Sequence, residues 1–239
     1  MTLTVALIYP ELLGTYGDRG NALVLQYRAR LRNIDCDIVV VSPGDPLPQS
    51  ADIYLLGGGE DNAQTLAADL LEEQHSTFEK ALETGWLLAV CAGFQILGHT
   101  FPVADGKFHD GLGMIDVTTT HGTPRIIGEL VTECLIEGMG ALTGFENHGG
   151  HTTLGENAQP LGVVEHGRGN GVNSSHGYVD GYQSDHIIAT YLHGPVLARN
   201  PLLADFFLAQ ATDININDLA EIENDPAELL HRERLGAAR

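Results

Sequence analysis

The chain has 239 residues, 43% of them hydrophobic, enough for one large core, and no apolar run approaches the length of a membrane span. Its formal charge is −20, with only two lysines, Lys80 and Lys107, a balance that repels phosphate backbones and argues against direct nucleic-acid binding. The three cysteines, Cys36, Cys91 and Cys134, lie far apart and form no C-x-x-C pair, which disfavours a disulfide framework or thiolate metal site and suits free thiols in the cytoplasm.

Residues 3–9 are a continuous apolar run ending at Pro10, the pattern of a central parallel strand rather than of a signal peptide. A glycine-rich polar loop follows, Leu13-Gly14-Thr15-Tyr16-Gly17-Asp18-Arg19-Gly20-Asn21, and a helix is predicted over 21–32. Loops at the carboxyl ends of strands build the crevice of an open α/β sheet, so Asp18, Arg19 and Asn21 are site candidates; turn chemistry and an N-cap account for them equally well. Strands are predicted at 37–41 and 53–56, the latter running into Gly57-Gly58-Gly59-Glu60. That glycine run fits neither the dinucleotide fingerprint nor the Walker A pattern, and it either presents backbone N–H groups to an oxyanion or makes a turn needing positive φ. An amphipathic helix is predicted over 61–84, and a buried strand at 86–90.

That strand, Trp86-Leu87-Leu88-Ala89-Val90, runs into Cys91, then Ala92, Gly93 and a helical pattern. A nucleophile at a sharp strand-to-helix turn stands exposed above the sheet, and a thiol at a helix N-terminus is biased towards thiolate. A buried structural cysteine is the alternative. As a nucleophile, Cys91 needs two oxyanion donors: Ala92 N–H just after it, and Gly58 or Gly59 from the glycine run.

From 102 to 181 the helical pattern fades, and short antiparallel strands and loops are expected, with 114–117 and 126–131 as strands. Arg125, after Pro124, can hold a carboxylate by its guanidinium fork or lie on the surface. His109, His121, His166, His176 and His186 sit in polar stretches and read as solvated, and His148 with His151 completes no convincing metal-ligand set. The run 187–192 is another buried strand, ending in His193-Gly194-Pro195. His193 and Cys91 would thus face one crevice, the imidazole taking the thiol proton and returning it to an amine. Asn200 is expected to cap a helix over 201–210. Residues 1–210 read as one α/β domain, an open, mostly parallel sheet flanked by helices, and 211–239 as a charged, amphipathic helical tail packed on the body or on a partner.

Cys91-Ala92-Gly93-Phe94-Gln95, the preceding glycine loop and Tyr191-Leu192-His193-Gly194 together resemble class I glutamine amidotransferases of the cobyric acid synthase-type branch. The Tyr16–Asn21 loop and Gly144-Phe145-Glu146-Asn147-His148-Gly149-Gly150 are similar to those of the free-standing glutaminase subunits of lipid II isoglutaminyl synthases. The resemblance implies a flavodoxin-like fold and a glutamyl thioester on Cys91. Glutamate is then released, and ammonia passes to a Mur-ligase-like ATP-dependent partner that amidates the D-glutamate of lipid II. Arg125, Gln95, Asn147 and His148 are then expected at the substrate, ATP and Mg on the partner, and no metal or cofactor in this chain. Many class I members carry His-x-Glu, but position 195 is proline. Glu60, Asp61 or an acidic residue of the partner is left to orient His193. Two other readings stay open: the same chemistry with another acceptor, such as a corrinoid, and a catalytically dead binding module of the same fold.

Overall fold

A computed structural model describes residues 2–15, 17–174 and 177–237; Tyr16 of the loop motif and His176 lie outside them. The elements in chain order are β1 (Thr2–Ile8), α1 (Arg19–Leu31), β2 (Asp35–Val41), β3 (Ile53–Leu56), α2 (Asp61–Glu72), α3 (His75–Ala81), β4 (Trp86–Val90), α4 (Ala92–Leu97), β5 (Thr100–Pro102), β6 (Phe108–Asp110), β7 (Val117–Cys134), β8 (Ala141–Leu154), β9 (Gly162–His166), β10 (Asn173–Ser174), β11 (Gly177–Asp180), β12 (Tyr182–Gln183), β13 (Ile187–Thr190), α5 (Val196–Arg199), α6 (Pro201–Thr212) and α7 (Pro226–Ala237).

The apolar runs form a six-stranded sheet in the order β12-β13-β4-β3-β1-β2. Every neighbouring pair is parallel except β12–β13 at one edge. Strands buried on both faces need no polar alternation, and β3 and β13 have none, every residue being buried. β2, at the other edge, exposes Asp35 and Asp37. From β1 the chain passes to β2 on one side and to β3 on the other. This is the switch point at which open α/β sheets open their crevice. The loops after β1 and β3 meet there, beside the end of β4.

A second sheet, β10-β11-β9-β7-β8, is antiparallel throughout. Leu130, Leu142 and Leu161 from this region share one buried cluster with Leu88 and Tyr191 of the first. Its largest unit is a hairpin of two long strands, 18 and 14 residues. The expectation of short strands is therefore corrected: 126–131 belongs to β7, and 114–116 is not a strand. Gly122, Thr123 and Pro124 read as a break, but they form an irregularity between His121 and Ile126 where the register with β8 shifts. Bulges of this kind bend a strand and re-aim its side chains without ending it.

The predicted helix over 61–84 is two, α2 and α3. The break falls at Gln74, whose φ −118° and ψ 16° are not helical, and whose Oε1 accepts Leu47 N–H at 2.7 Å while its Nε2 donates to Tyr9 Oη at 3.1 Å. Asn200 precedes α6 but does not cap it. Its amide pairs with the Thr143 backbone instead, accepting the N–H and donating to the carbonyl, both at 2.8 Å. The tail packs on the body. Buried Arg28 of α1 donates to Asp205 of α6 and to Asp225, and Asp225 accepts the Ala227 N–H at the start of α7. Of the histidines expected in solvent, His121 and His166 are exposed, whereas His109 and His186 are half-buried, His186 against Trp86 with ring centroids 5.2 Å apart. No helix among the described residues is long and apolar enough to cross a membrane.

Candidate active site

Cys91 stands where β4 hands over to α4, with φ +52° and ψ −103°. A non-glycine residue in that region carries strain of about 1–3 kcal/mol and persists only where its surroundings hold it. They do so here from two sides. Cys91 N–H donates to Thr190 O of β13 at 2.9 Å, and Gly93 N–H donates to Gly57 O at the end of β3 at 3.1 Å. Position 93 must be glycine because a Cβ would lie 2.6 Å from Leu56 O. The strained residue is thus the cysteine itself, and Gly93 serves the close approach of β3 and α4.

A cavity of about 240 Å³ opens over the elbow. Cys91, Ala92 and Gln95 line it with Gly59, Glu60, Asp61 and Gln64 from the first sheet's side, and with Arg125, Asn147 and His148 from the β7–β8 hairpin. The register shift before Ile126 carries Arg125 into this wall. Arg125 Nε donates to Asn147 Oδ1 at 2.7 Å, which holds the exposed guanidinium in place.

His193 follows β13, the strand beside β4, and is buried. Its backbone pairs with Phe145 of β8, His193 N–H to Phe145 O at 2.8 Å and Phe145 N–H to His193 O at 3.0 Å. The turn leading to it is fixed by buried Asp180, which accepts the Thr190 hydroxyl at 2.5 Å and Tyr191 N–H at 3.1 Å. His148 stacks on Tyr191 with centroids 3.8 Å apart, and its Nδ1 donates to Gly150 O at 2.8 Å.

Burial disfavours the charged forms of both Cys91 and His193. Burial pushes the Cys91 thiol up to about 12; Asp18 adds to this, Ala92 N–H and Arg125 oppose it, and Glu60 adds again. Burial, with His148 and Arg125 nearby, pulls the His193 imidazole down to about 4. The expected bias towards thiolate is corrected. Taking the charged sulfur out of water outweighs the Ala92 N–H at the start of a six-residue helix.

Several expected residues do other work. Asp18 is buried and accepts Gly58 N–H on Oδ2 at 2.9 Å; this donor is occupied, so of the two expected donors, Gly58 and Gly59, Gly59 is left for an oxyanion. None of Gly57, Gly58 and Gly59 has positive φ. Position 57 must lack a side chain because a Cβ there would lie 2.0 Å from Leu13 O. Asn21 accepts Leu197 N–H at 3.0 Å, tying α1 to α5, and Arg19 is exposed. Gln95 lines the cavity, but its amide accepts from Gln64 Nε2 at 2.9 Å and donates to Tyr191 Oη at 3.0 Å. Asp180 and Gln64 were not anticipated. Gln64 could have been, as a polar residue in the buried stripe of Ala67, Ala68 and Leu71 on α2. Asp180 offers no such signal. Among the described residues no group of three or more His, Cys, Asp or Glu side chains is placed to hold a metal ion.

The chain is 34% identical over 213 residues to the lipid II isoglutaminyl synthase (glutamine-hydrolyzing) subunit GatD of Staphylococcus aureus, covering 88% of this chain and 85% of that one. It is 36% identical over 207 residues to the subunit of the same name from Streptococcus pneumoniae, covering 84% and 77%. Among solved structures, a glutamine amidotransferase superposes with a TM-score of 0.57 at 19% identity over 87% of this chain and 98% of its own, a likeness of fold. The CobB/CobQ-like glutamine amidotransferase domain matches residues 4–201, and the chain belongs to that family.

Proposed function

We propose that this chain is the glutamine-hydrolysing subunit of a lipid II isoglutaminyl synthase. The observation that carries the reading is the strained Cys91 elbow opening into a polar cavity walled by an oriented arginine. Arg125, held by Asn147, grips the α-carboxylate of L-glutamine. Cys91 Sγ then attacks the side-chain amide carbon while His193 takes the thiol proton. Negative charge gathers on the amide oxygen, facing Ala92 N–H and Gly59 N–H. The C–N bond breaks as His193 returns the proton to nitrogen, and ammonia leaves a glutamyl thioester. Water adds to the thioester, His193 again moving the proton, and glutamate departs with the thiol restored. The cycle as a whole begins and ends with the free thiol of Cys91 and the imidazole of His193, and His193 carries the proton in both halves.

In this reading ammonia passes to a Mur-ligase-like ATP-dependent subunit in the cytoplasm, which amidates the D-glutamate of lipid II. ATP and Mg belong to that partner, and no step on this chain uses them. The test is reconstitution of the two-subunit complex with glutamine, ATP and lipid II, read by mass spectrometry of the stem peptide. Amidated lipid II supports the proposal. Glutamate release without lipid II amidation, or amidation of a corrinoid acid instead, would assign another acceptor.

A further inference from the structure

The loop after β1 is fastened to the glycine run after β3 by both ends of one residue. Asp18 Oδ2 accepts Gly58 N–H at 2.9 Å, and Thr15 N–H donates to Gly58 O at 3.2 Å. The contact is close because position 57 lacks a side chain: a Cβ there would lie 2.7 Å from Asp18 Cβ. In a trans peptide the carbonyl and the following N–H point in opposite directions. With Gly58 O turned to Thr15, Gly59 N–H is turned away from that loop, and Gly59 lines the Cys91 cavity beside Ala92. Gly59 N–H has no acceptor among the described residues.

We infer that Asp18 is a positioning residue for glutamine hydrolysis, clamping the Gly58–Gly59 peptide with Thr15 so that Gly59 N–H faces the oxyanion formed at Cys91. The inference rests on Cys91 being the glutaminase nucleophile. Asp18 touches neither substrate nor thiol in this role. Its cost is a buried carboxylate, with Oδ1 unpartnered among the described residues, near a sulfur whose ionisation it opposes. Retaining such a group at that place fits a fixed backbone geometry that a neutral, shorter side chain would not hold.

The experiment measures two reactions of the full chain bound to its synthase partner. Glutamine hydrolysis needs the oxyanion donors. Alkylation of Cys91 by iodoacetamide, read on the Cys91 peptide by mass spectrometry, is displacement at a saturated carbon and needs none. Asp18→Ala should lower kcat for hydrolysis by about 10- to 100-fold, the scale of a misplaced reacting group, with KM within about 3-fold. Its alkylation rate should equal or exceed wild type, since a like charge beside the thiol is gone. Asp18→Asn keeps an oxygen acceptor for Gly58 N–H and should restore kcat to within about 3-fold of wild type. Unchanged kcat in Asp18→Ala, or kcat and alkylation falling together, would overturn the positioning role. If Asp18→Ala does not fold, Asp18→Asn decides alone: near-wild-type kcat with faster alkylation supports the clamp, and a loss beyond about 100-fold means that the charge itself acts on the reaction. Absence of glutamate release from the wild-type complex would refute the glutaminase reading instead, a result visible before any Asp18 variant is compared.

Discussion

Replacing Cys91 separates chemistry from backbone strain in one series. Cys91→Ala, Cys91→Ser and Cys91→Gly each remove the thiol and should abolish glutamate release. Cys36→Ser and Cys134→Ser should retain it, because neither thiol lines the cavity. The stability order is the less obvious outcome. At a buried strand end, glycine is ordinarily worse than alanine by about 0.5–1 kcal/mol of backbone entropy, plus about 0.8 kcal/mol for the lost buried methyl. At φ +52° and ψ −103° alanine inherits strain of about 1–3 kcal/mol that glycine does not. The sums, about 1.3–1.8 against about 1–3 kcal/mol, leave glycine between about 0.8 kcal/mol worse and about 1.7 kcal/mol better, so the usual penalty of Cys91→Gly relative to Cys91→Ala should be reduced or reversed. For a chain of this size each kcal/mol moves Tm by about 2–4 °C, within reach of a thermal melt followed by circular dichroism. A Cys91→Gly variant more than about 1 kcal/mol less stable than Cys91→Ala would refute the strained elbow. Measurable turnover by Cys91→Ala would refute the nucleophile.

Arg125→Ala should raise KM for glutamine by roughly 10- to 100-fold through loss of a charge-assisted contact of about 1.5–3 kcal/mol, and Asn147→Ala should do the same more weakly by freeing the guanidinium; unchanged kinetic constants would remove both from the substrate site. With the thiol near 12, alkylation of Cys91 in the isolated chain should rise about tenfold per pH unit from pH 6 to 10, whereas a plateau by pH 7 would mean a standing thiolate–imidazolium pair. Glutaminase activity should be much higher with the partner than without it if an acidic partner residue raises the His193 imidazole, and equal rates would leave the Cys91–His193 pair to act alone. Buried Glu146, which accepts Arg168 and Gly169 N–H, is pushed up to about 7 by burial; it binds its proton more tightly folded than unfolded, so its contribution to stability falls as pH rises from about 4.5 through 7. Glu146→Gln should therefore gain on wild type by up to about 3 kcal/mol between pH 5 and pH 8, and parallel stability curves for the two proteins would exclude that linkage.

What could be read without coordinates was whatever one local rule decides. Continuous apolar runs identified β1, β3, β4 and β13, because a doubly covered parallel strand needs only hydrophobicity. The elbow was readable because small residues after a cysteine at a strand end have few other uses. The β7–β8 hairpin was not, since Gly122-Thr123-Pro124 looks locally like a terminator, and only pairing with β8 on both sides of it carries the strand through. Thiol ionisation failed for a similar reason. A helix start favours thiolate locally, but the β7–β8 wall of the cavity over the sulfur comes from distant residues, His121 to Gly150. Asp18 was visible as a polar loop residue, yet whether it served turn or site depended on Gly58, 40 residues on.

Gln95, which lines the cavity, is also tied into the structure around it. Its amide belongs to a line of hydrogen bonds that crosses beneath the site: Gln64 Nε2 to Gln95 Oε1, Gln95 Nε2 to Tyr191 Oη, Tyr191 Oη to Thr152 Oγ1 at 2.6 Å, and Thr152 Oγ1 to Thr119 Oγ1 at 2.8 Å. Tyr191 Oη accepts from Gln95, and in the Tyr191–Thr152 and Thr152–Thr119 pairs either hydroxyl can donate. The line begins on α2, passes through α4 and the end of β13, and finishes on β8 and β7, so it joins the two sheets that supply opposite walls of the cavity. Buried lines of this kind hold geometry because each member left alone costs about 1–3 kcal/mol. Tyr191 is also the face on which His148 stacks. Gln95 therefore ties the lining of the cavity to both sheets.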